Sequence, residues 1–225
     1  GIRILDCGGA STLFSFFLAS KGFEVHTADI DWRSQGIIRN AEDAAAVMHW
    51  KMHNIKTDMA HLPYKDGHFD RVFSVCVLEH IPRHNALKAV VEMARVLAPG
   101  GIMGLTFDYG PDAYDEKYAD VGELNERIVI PSGLRIRGNL DYQENPWFAE
   151  RRGKTWGVLF LEKPMHGTVV EQPLLFCSRP QGRFIIGVIL LARSLLKWVK
   201  DRLWSMGIHR RNPAYVFFRT MFHKP

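Results

Sequence analysis

A short, largely apolar stretch, Ile2-Arg3-Ile4-Leu5, stops in Asp6-Cys7-Gly8-Gly9-Ala10-Ser11-Thr12, and no other feature narrows the fold of this 225-residue chain as far. A strand that breaks into small residues and turns into a helix leaves unpaired backbone N–H groups at the helix start, where the polar groups of a ligand can approach. Asp29 and Asp31 follow at the end of a second expected strand, Glu24-Val25-His26-Thr27-Ala28. A carboxylate roughly 20 positions beyond the turn offers two acceptors to ribose hydroxyls, so the pattern reads as a nucleoside-cofactor site. Many α/β turns share the Gly8-x-Ala10 spacing, so the reading needs further residues.

Those residues come in order along the chain: Gly22-Phe23-Glu24, then Asp58-Met59-Ala60-His61-Leu62-Pro63-Tyr64, then Phe69-Asp70-Arg71-Val72-Phe73-Ser74-Val75-Cys76-Val77-Leu78-Glu79-His80-Ile81, then Pro99-Gly100-Gly101. As an ordered set they resemble the class I S-adenosylmethionine-dependent methyltransferases, type 11-like, of the branch that methylates small molecules. The resemblance covers residues 1 to about 107. It implies a Rossmann-like, doubly wound α/β fold: a mostly parallel seven-stranded sheet with an antiparallel edge.

For the cofactor, S-adenosylmethionine, the resemblance lays Gly8, Gly9 and Ala10 along the methionyl part and sets Asp6 beneath them, holding the loop or the ligand's ammonium. Asp29 would accept from the ribose, Ile30 would pack on adenine, Asp58 would take the adenine amino group, and Met59 would offer its backbone amide. Val75, at the end of the fourth strand, joins this set. The alternatives are a helix N-cap for Asp29 and plain core packing for Ile30. The chain departs from the family at Ala10 and Thr12, where further glycines are usual. A Cβ at Ala10 is tolerable if its φ is negative. Some relatives carry a metal-site Glu three residues before the Glu-His pair, and Cys76 stands there instead, so no such metal is expected.

The sulfonium methyl is already activated, so catalysis is chiefly positioning plus a base for the acceptor. Glu79, His80, Asp108 and Tyr109 are the candidates, and His80 and Asp108 are preferred on the acceptor side. His49 and His53 have the i, i+4 spacing of helical metal ligands, but no acidic third ligand accompanies them, and two surface histidines is the reading.

Apolar periodicity gives the elements. Helices are expected over 11–21, 41–51, 87–97 (from Leu87, Val90, Val91, Ala94 and Leu97) and 121–130, the last opened by the capping box Asp120-x-x-Glu123. Strands are expected over 3–6, 24–28, 54–57, 69–75, 102–107, 134–137 and 156–161, with Pro99-Gly100-Gly101 ending the helix before the fifth. The segment 138–152, with Tyr142, Trp147 and Phe148, is either a cover for the acceptor pocket or a surface loop. Two regions result: a cofactor-binding domain over 1–163 and a basic extension over 164–225. The chain opens on its first strand without Met, so its N-terminus is expected to be truncated.

A 47% hydrophobic and 24% charged composition is ordinary for a globular chain and points neither to disorder nor to a polytopic membrane protein. Cys7, Cys76 and Cys177 lack paired spacing, which suits buried thiols in a reducing, cytoplasmic setting. From Arg179 onward ten Lys or Arg face the single acid Asp201, a balance of +9, against −4 for the chain before that point. The run Phe184-Ile185-Ile186-Gly187-Val188-Ile189-Leu190-Leu191-Ala192 is far shorter than a bilayer-spanning helix. Such a helix needs an apolar stretch of about 20 residues. Arg193, Lys197, Lys200 and Arg202 then interrupt Leu195, Leu196, Trp198, Val199, Leu203 and Trp204. The pattern fits an amphipathic helix near 183–206, lying on the inner face of an anionic membrane or packed on the domain, and nucleic acid is a distant third. The expected acceptor is a small or lipid-like molecule. A catalytically silent binding module and a nicotinamide-dependent oxidoreductase are the rival functions.

Overall fold

The computed structural model describes residues 1–31, 36–109, 118, 120–138, 141–143 and 155–165. Within them β1 (Arg3–Cys7), α1 (Leu13–Ser20), β2 (Glu24–Asp29), α2 (Ile37–Met48), β3 (Met52–Lys56), β4 (Phe69–Val75), α3 (Arg83–Val96) and β5 (Leu97–Tyr109) alternate as the sequence predicts. A helical segment follows, Val121–Leu124 continued by a π-helical turn Asn125–Val129 and by Ile130–Ser132, and then β6 (Arg135–Ile136), β7 (Asp141–Gln143) and β8 (Thr155–Glu162). The strands form one sheet in the order β3-β2-β1-β4-β5-β8-β6, with β7 also on β8. β6 pairs with Glu162 and Leu161 and β7 with Val158 to Trp156, so the two share one lane beside β8 and the sheet has seven lanes. β3 to β5 pair parallel and β8 closes the sheet antiparallel on β5. This is the Rossmann-like, doubly wound architecture. The chain leaves β1 toward β2 and β3, then returns to β4 on the other side. In such sheets the crevice at that reversal, beyond the carboxyl ends of β1 and β4, receives the ligand.

Local chemistry sets the element ends. Thr12 is the N-cap of α1, its Oγ1 accepting from the Ser15 N–H at 3.3 Å. Gly22, at φ 85°, turns the chain toward β2. Both are residues that their positions favour, a hydroxyl before the first turn and a glycine after the last. α2 starts earlier than its sequence pattern because the Asp31 carboxylate, six residues before Ile37, accepts from the Ile37 N–H at 3.0 Å. It ends at Met48, with His49 left-handed at φ 55°. His49 and His53 therefore do not share a helix, and their i, i+4 spacing carries no helical geometry.

Two further expectations are corrected. Pro99-Gly100-Gly101 does not stand between helix and strand: β5 begins at Leu97 directly after α3, and the register slips between Phe69↔Leu97 and Arg71↔Ile102. Gly100 N–H donates to the Lys163 carbonyl at 2.8 Å and Lys163 N–H to the Gly101 carbonyl at 3.0 Å. The Pro-Gly-Gly irregularity is thus absorbed as a bulge. α3 buries Ala86, Ala89, Val90, Met93 and Ala94, while Leu87 and Val91 of the expected stripe are 42% and 45% exposed. The small alanines, not the larger aliphatics, let this helix approach the sheet.

Leu5, Val72, Met103, Leu105, Phe107, Leu159 and Leu161 form the sheet's contribution to the core, each fully buried. Lys163 Nζ donates to the Ala94, Arg95 and Leu97 carbonyls at 2.8, 3.2 and 2.7 Å. A cation thereby sits on the free carbonyls that end α3. Arg95 fixes the loop before β4 through Glu92, Asp66 and the Tyr64 and Leu62 carbonyls. Among the described residues no helix is long and apolar enough to cross a membrane. Cys177, the basic segment 183–206 and Trp147 and Phe148 lie outside the described residues.

Candidate cofactor site

Gly8 follows β1 at φ 81°, and its N–H donates to the Ala28 carbonyl at 2.7 Å. Only glycine enters that region of backbone space freely. A Cβ on Gly8 would meet Val77 Cγ2 at 2.5 Å, so a residue from the turn after β4 leans on the loop after β1, across the reversal in strand order. Gly9 needs to be glycine for another reason: a Cβ there would collide with the Asp6 carboxyl. Ala10 is buried and is not among the residues of positive φ, which meets the condition set for it.

Asp6 is 1% exposed. Its Oδ2 accepts from Ser15 Oγ at 2.5 Å and from Thr12 Oγ1 at 3.3 Å, both also within reach of the Gly9 carbonyl. Its Oδ1 is buried and meets no hydrogen-bond donor among the described residues. Burial pushes the carboxyl up to about 7 against the pull of the two hydroxyls, with Asp29 adding repulsion. Asp6 thus holds the loop through α1, with one oxygen left over.

Asp29 ends β2 half-buried. It accepts from the Asp31 N–H at 2.9 Å and is hydrogen-bonded by the Ala10 and Ile30 amides; burial nonetheless holds its carboxyl above the usual range. Among the described residues it caps no helix, and Asp31 serves α2 instead. A carboxylate has about four lone-pair sites, so these amides leave room for a ligand hydroxyl. Ile30 beside it is 46% exposed, which rules out plain core packing. The Thr57 N–H donates to the Asp29 carbonyl at 2.8 Å, bringing the loop after β3 to the same end. Asp58 there is exposed and accepts from the Ala60 N–H at 2.9 Å, while the Met59 side chain is buried in the core. An Asp side chain that bonds the backbone two residues on is a common way to turn a chain.

Val75 ends β4 half-buried opposite Thr106. Cys76 follows at φ 54°, its N–H donating to the Thr106 carbonyl and Oγ1, both at 3.0 Å. Its thiol is exposed, unlike that of buried Cys7 and contrary to the expectation of buried thiols. The Leu78–His80 turn points Glu79 inward and His80 outward: Glu79 is 4% exposed and its Oε1 accepts from the Asp108 N–H at 3.3 Å. Glu79 therefore braces the end of β5, with Asp108 and Tyr109 half-buried beside it and His80 on the rim.

The structure thus brings Asp6, Gly8, Gly9, Ala10, Asp29, Ile30 and Asp58 to one end of β1, β2 and β3. Thr12 serves it as a cap, which is what its departure from the family pattern accomplishes. Sequence reasoning missed Ser15 and Val77. The Thr12-x-x-Ser15 spacing before an apolar run was a usable signal for the first; for Val77, reached only through the fold, there was none.

A glycine loop at the strand-order reversal, with a carboxylate beneath it and another at the end of the next strand, is the arrangement of a nucleoside-cofactor domain. Residues 5–105 match a family model described as a methyltransferase domain. Over those residues the chain is similar to the class I S-adenosylmethionine-dependent methyltransferases. Sterol 24-C-methyltransferase of Schizosaccharomyces pombe is 32% identical over 81 residues, 36% of this chain and 21% of that protein. The match thus spans about a fifth of that relative's length. A SAM-dependent methyltransferase structure from Methanosarcina mazei superposes with a TM-score of 0.58 at 18% identity, over 73% of this chain and 93% of that one. Magnesium protoporphyrin IX methyltransferase from Synechocystis PCC 6803, with bound SAM, gives 0.54 at 22% identity, over 72% and 70%.

Proposed function

We propose that the chain binds S-adenosylmethionine at the carboxyl ends of β1, β2 and β3 and methylates a small-molecule or lipid-like acceptor. The carrying observation is Asp6, a buried carboxylate under Gly8 and Gly9 whose Oδ1 has no donor among the described residues. An ammonium group at the loop would supply the missing donor and favour the ionised carboxylate. The residues present fit the cofactor: Gly8, Gly9 and Ala10 would line its methionyl part, Asp29 its ribose, and Ile30, Asp58 and the Met59 amide its adenine, with Val75 at the β4 end. The bound cofactor supplies a sulfonium-activated methyl group. The chain's own task is then to orient an acceptor and hold a proton.

His80 and Asp108 are assigned to the acceptor side, with Glu79 as the brace of Asp108 rather than as the base. The relatives named for a sterol and a porphyrin support an acceptor of that small or lipid-like kind. The +9 balance from Arg179 onward supports attachment of 183–206 to an anionic membrane on the cytoplasmic side. Calorimetric titration with S-adenosylmethionine and its demethylated product tests the core of this reading, and absence of saturable binding overturns it. For the tail, co-sedimentation with anionic vesicles should weaken with salt and vanish in Leu196→Glu. Equal sedimentation of that variant removes the membrane assignment.

A further inference from the structure

β2 carries a second group of chemically active side chains, away from the Gly8 loop. Glu24 and His26 stand two residues apart on one face of the strand, and His26 is in parallel register with His53 of β3. The three offer one ligand atom each, a carboxylate oxygen and two ring nitrogens, all within 4.8 Å of one another. Asp29, of the cofactor site, lies farther along β2, at its carboxyl end.

We propose that Glu24, His26 and His53 form a binding site for a divalent cation of the zinc class, joining the edge strand β3 to β2. Two imidazoles and one carboxylate with open positions left for water are a ligand set that zinc accepts. Bonds of about 2.0–2.1 Å in a tetrahedral site put ligand atoms about 3.3 Å apart. The His26 Nε2 to Glu24 Oε1 separation is 3.3 Å already. Only exposed His53 has to close in, and its exposure also gives the ion its path. The His26 and His53 rings lie 4.5 Å apart, tilted by 30°.

Behind His26 the support is in place. Tyr64 Oη lies 3.4 Å from His26 Nδ1. With a proton on Nδ1 the phenol oxygen accepts it and leaves Nε2 free for a metal. Phe69 packs edge-on against the His26 ring at 5.1 Å, and His68 at 6.0 Å, so the ring is held in orientation. Arg3, opposite Glu24 on β1, helps to keep Glu24 ionised, the form that binds a metal, while its own positive charge repels one. The sequence concealed the group because the acid that accompanies His53 is far upstream, on another strand, and reaches it only through strand pairing.

The test is titration of the chelator-stripped full chain with Zn²⁺, followed by calorimetry, and with Co²⁺, followed by absorption. One saturable equivalent is expected, with the visible bands of tetrahedral cobalt. His53→Gln, an exposed position whose change leaves the core intact, should weaken binding by more than about tenfold, and Tyr64→Phe by about tenfold. His49→Gln should leave it unchanged. Zn²⁺ should also raise the melting temperature of the wild type and not of His53→Gln. No saturable site, or one that His53→Gln leaves intact, overturns the proposal.

Discussion

Asp6 and Glu24 are carboxylates on adjacent strands at opposite ends of one sheet, and their surroundings drive them in opposite directions. Asp6, at the carboxyl end of β1, is enclosed, and burial outweighs two hydroxyl donors to hold it at about 7. Glu24, at the start of β2 with its side chain 42% exposed, is drawn below its ordinary value, first by its hydrogen bond to His26. Donors alone do not set the sign: the site at the strand ends has more of them. What differs is water. An acid stripped of water with one oxygen unsatisfied is stabilised by a bound cationic group, whereas an acid in water beside a histidine is already satisfied.

The largest test of that contrast is Asp6→Asn. The carboxyl titrates at 3.8 when unfolded and at about 7 when folded. Such a group stabilises the fold fully below about pH 4, and this stability, up to about 4 kcal/mol, is lost as pH rises through 7. The cofactor-free variant should therefore show a flatter stability profile between pH 4 and 7 and gain on the wild type at pH 8. Denaturant titrations across that range measure it. Parallel profiles for the two proteins would show that Asp6 is not held protonated.

Gly9→Ala strikes the same carboxyl sterically. Its Cβ collides with the Asp6 side chain inside a closed turn. A loss of about 3 kcal/mol in thermal or denaturant unfolding is expected. The double variant with Asp6→Ala should recover most of that loss, because the colliding group is gone. Additive losses would mean that the glycine is needed by the backbone alone.

Asp29→Asn carries the comparison to ligand binding. It keeps the side chain's shape and removes the charge offered to the ribose, so affinity for S-adenosylmethionine should fall by about 1–3 kcal/mol, read by calorimetry. Unchanged affinity would reduce Asp29 to its hydrogen bonds with the Asp31, Ala10 and Ile30 amides.

The strand-end site was legible in the sequence because its residues lie where local signals are strongest: small residues after an apolar strand, an acid at the next strand's end. β1, β2 and β4 read within a residue of their bounds for the same reason. What escaped depends on distant partners. α2 starts on a carboxylate well outside it, Pro99-Gly100-Gly101 is absorbed by pairing with Lys163, and Val77 reaches Gly8 only when β4 lies beside β1. His53 read as a lone surface histidine because the neighbour considered was His49, along the chain, when the one that counts is His26, across the sheet.

Glu24→Gln gives the smallest effect, and its direction matters more than its size. The folded carboxyl is depressed below its ordinary value of 4.5. It therefore contributes stability above that unfolded value, and the contribution is lost as pH falls through the lower folded one. This is the reverse of Asp6. With the side chain so exposed, solvent screens the pair, and the change should be about 0.5 kcal/mol or less in metal-free buffer. Raising the salt should shrink it further, since water and ions reach Glu24 but not Asp6. With Zn²⁺ present the same substitution should matter more, because it would then remove a ligand and not merely a hydrogen bond. Equal effects with and without the metal would leave Glu24 as a surface acid beside a histidine and break the symmetry drawn between the two ends of the sheet.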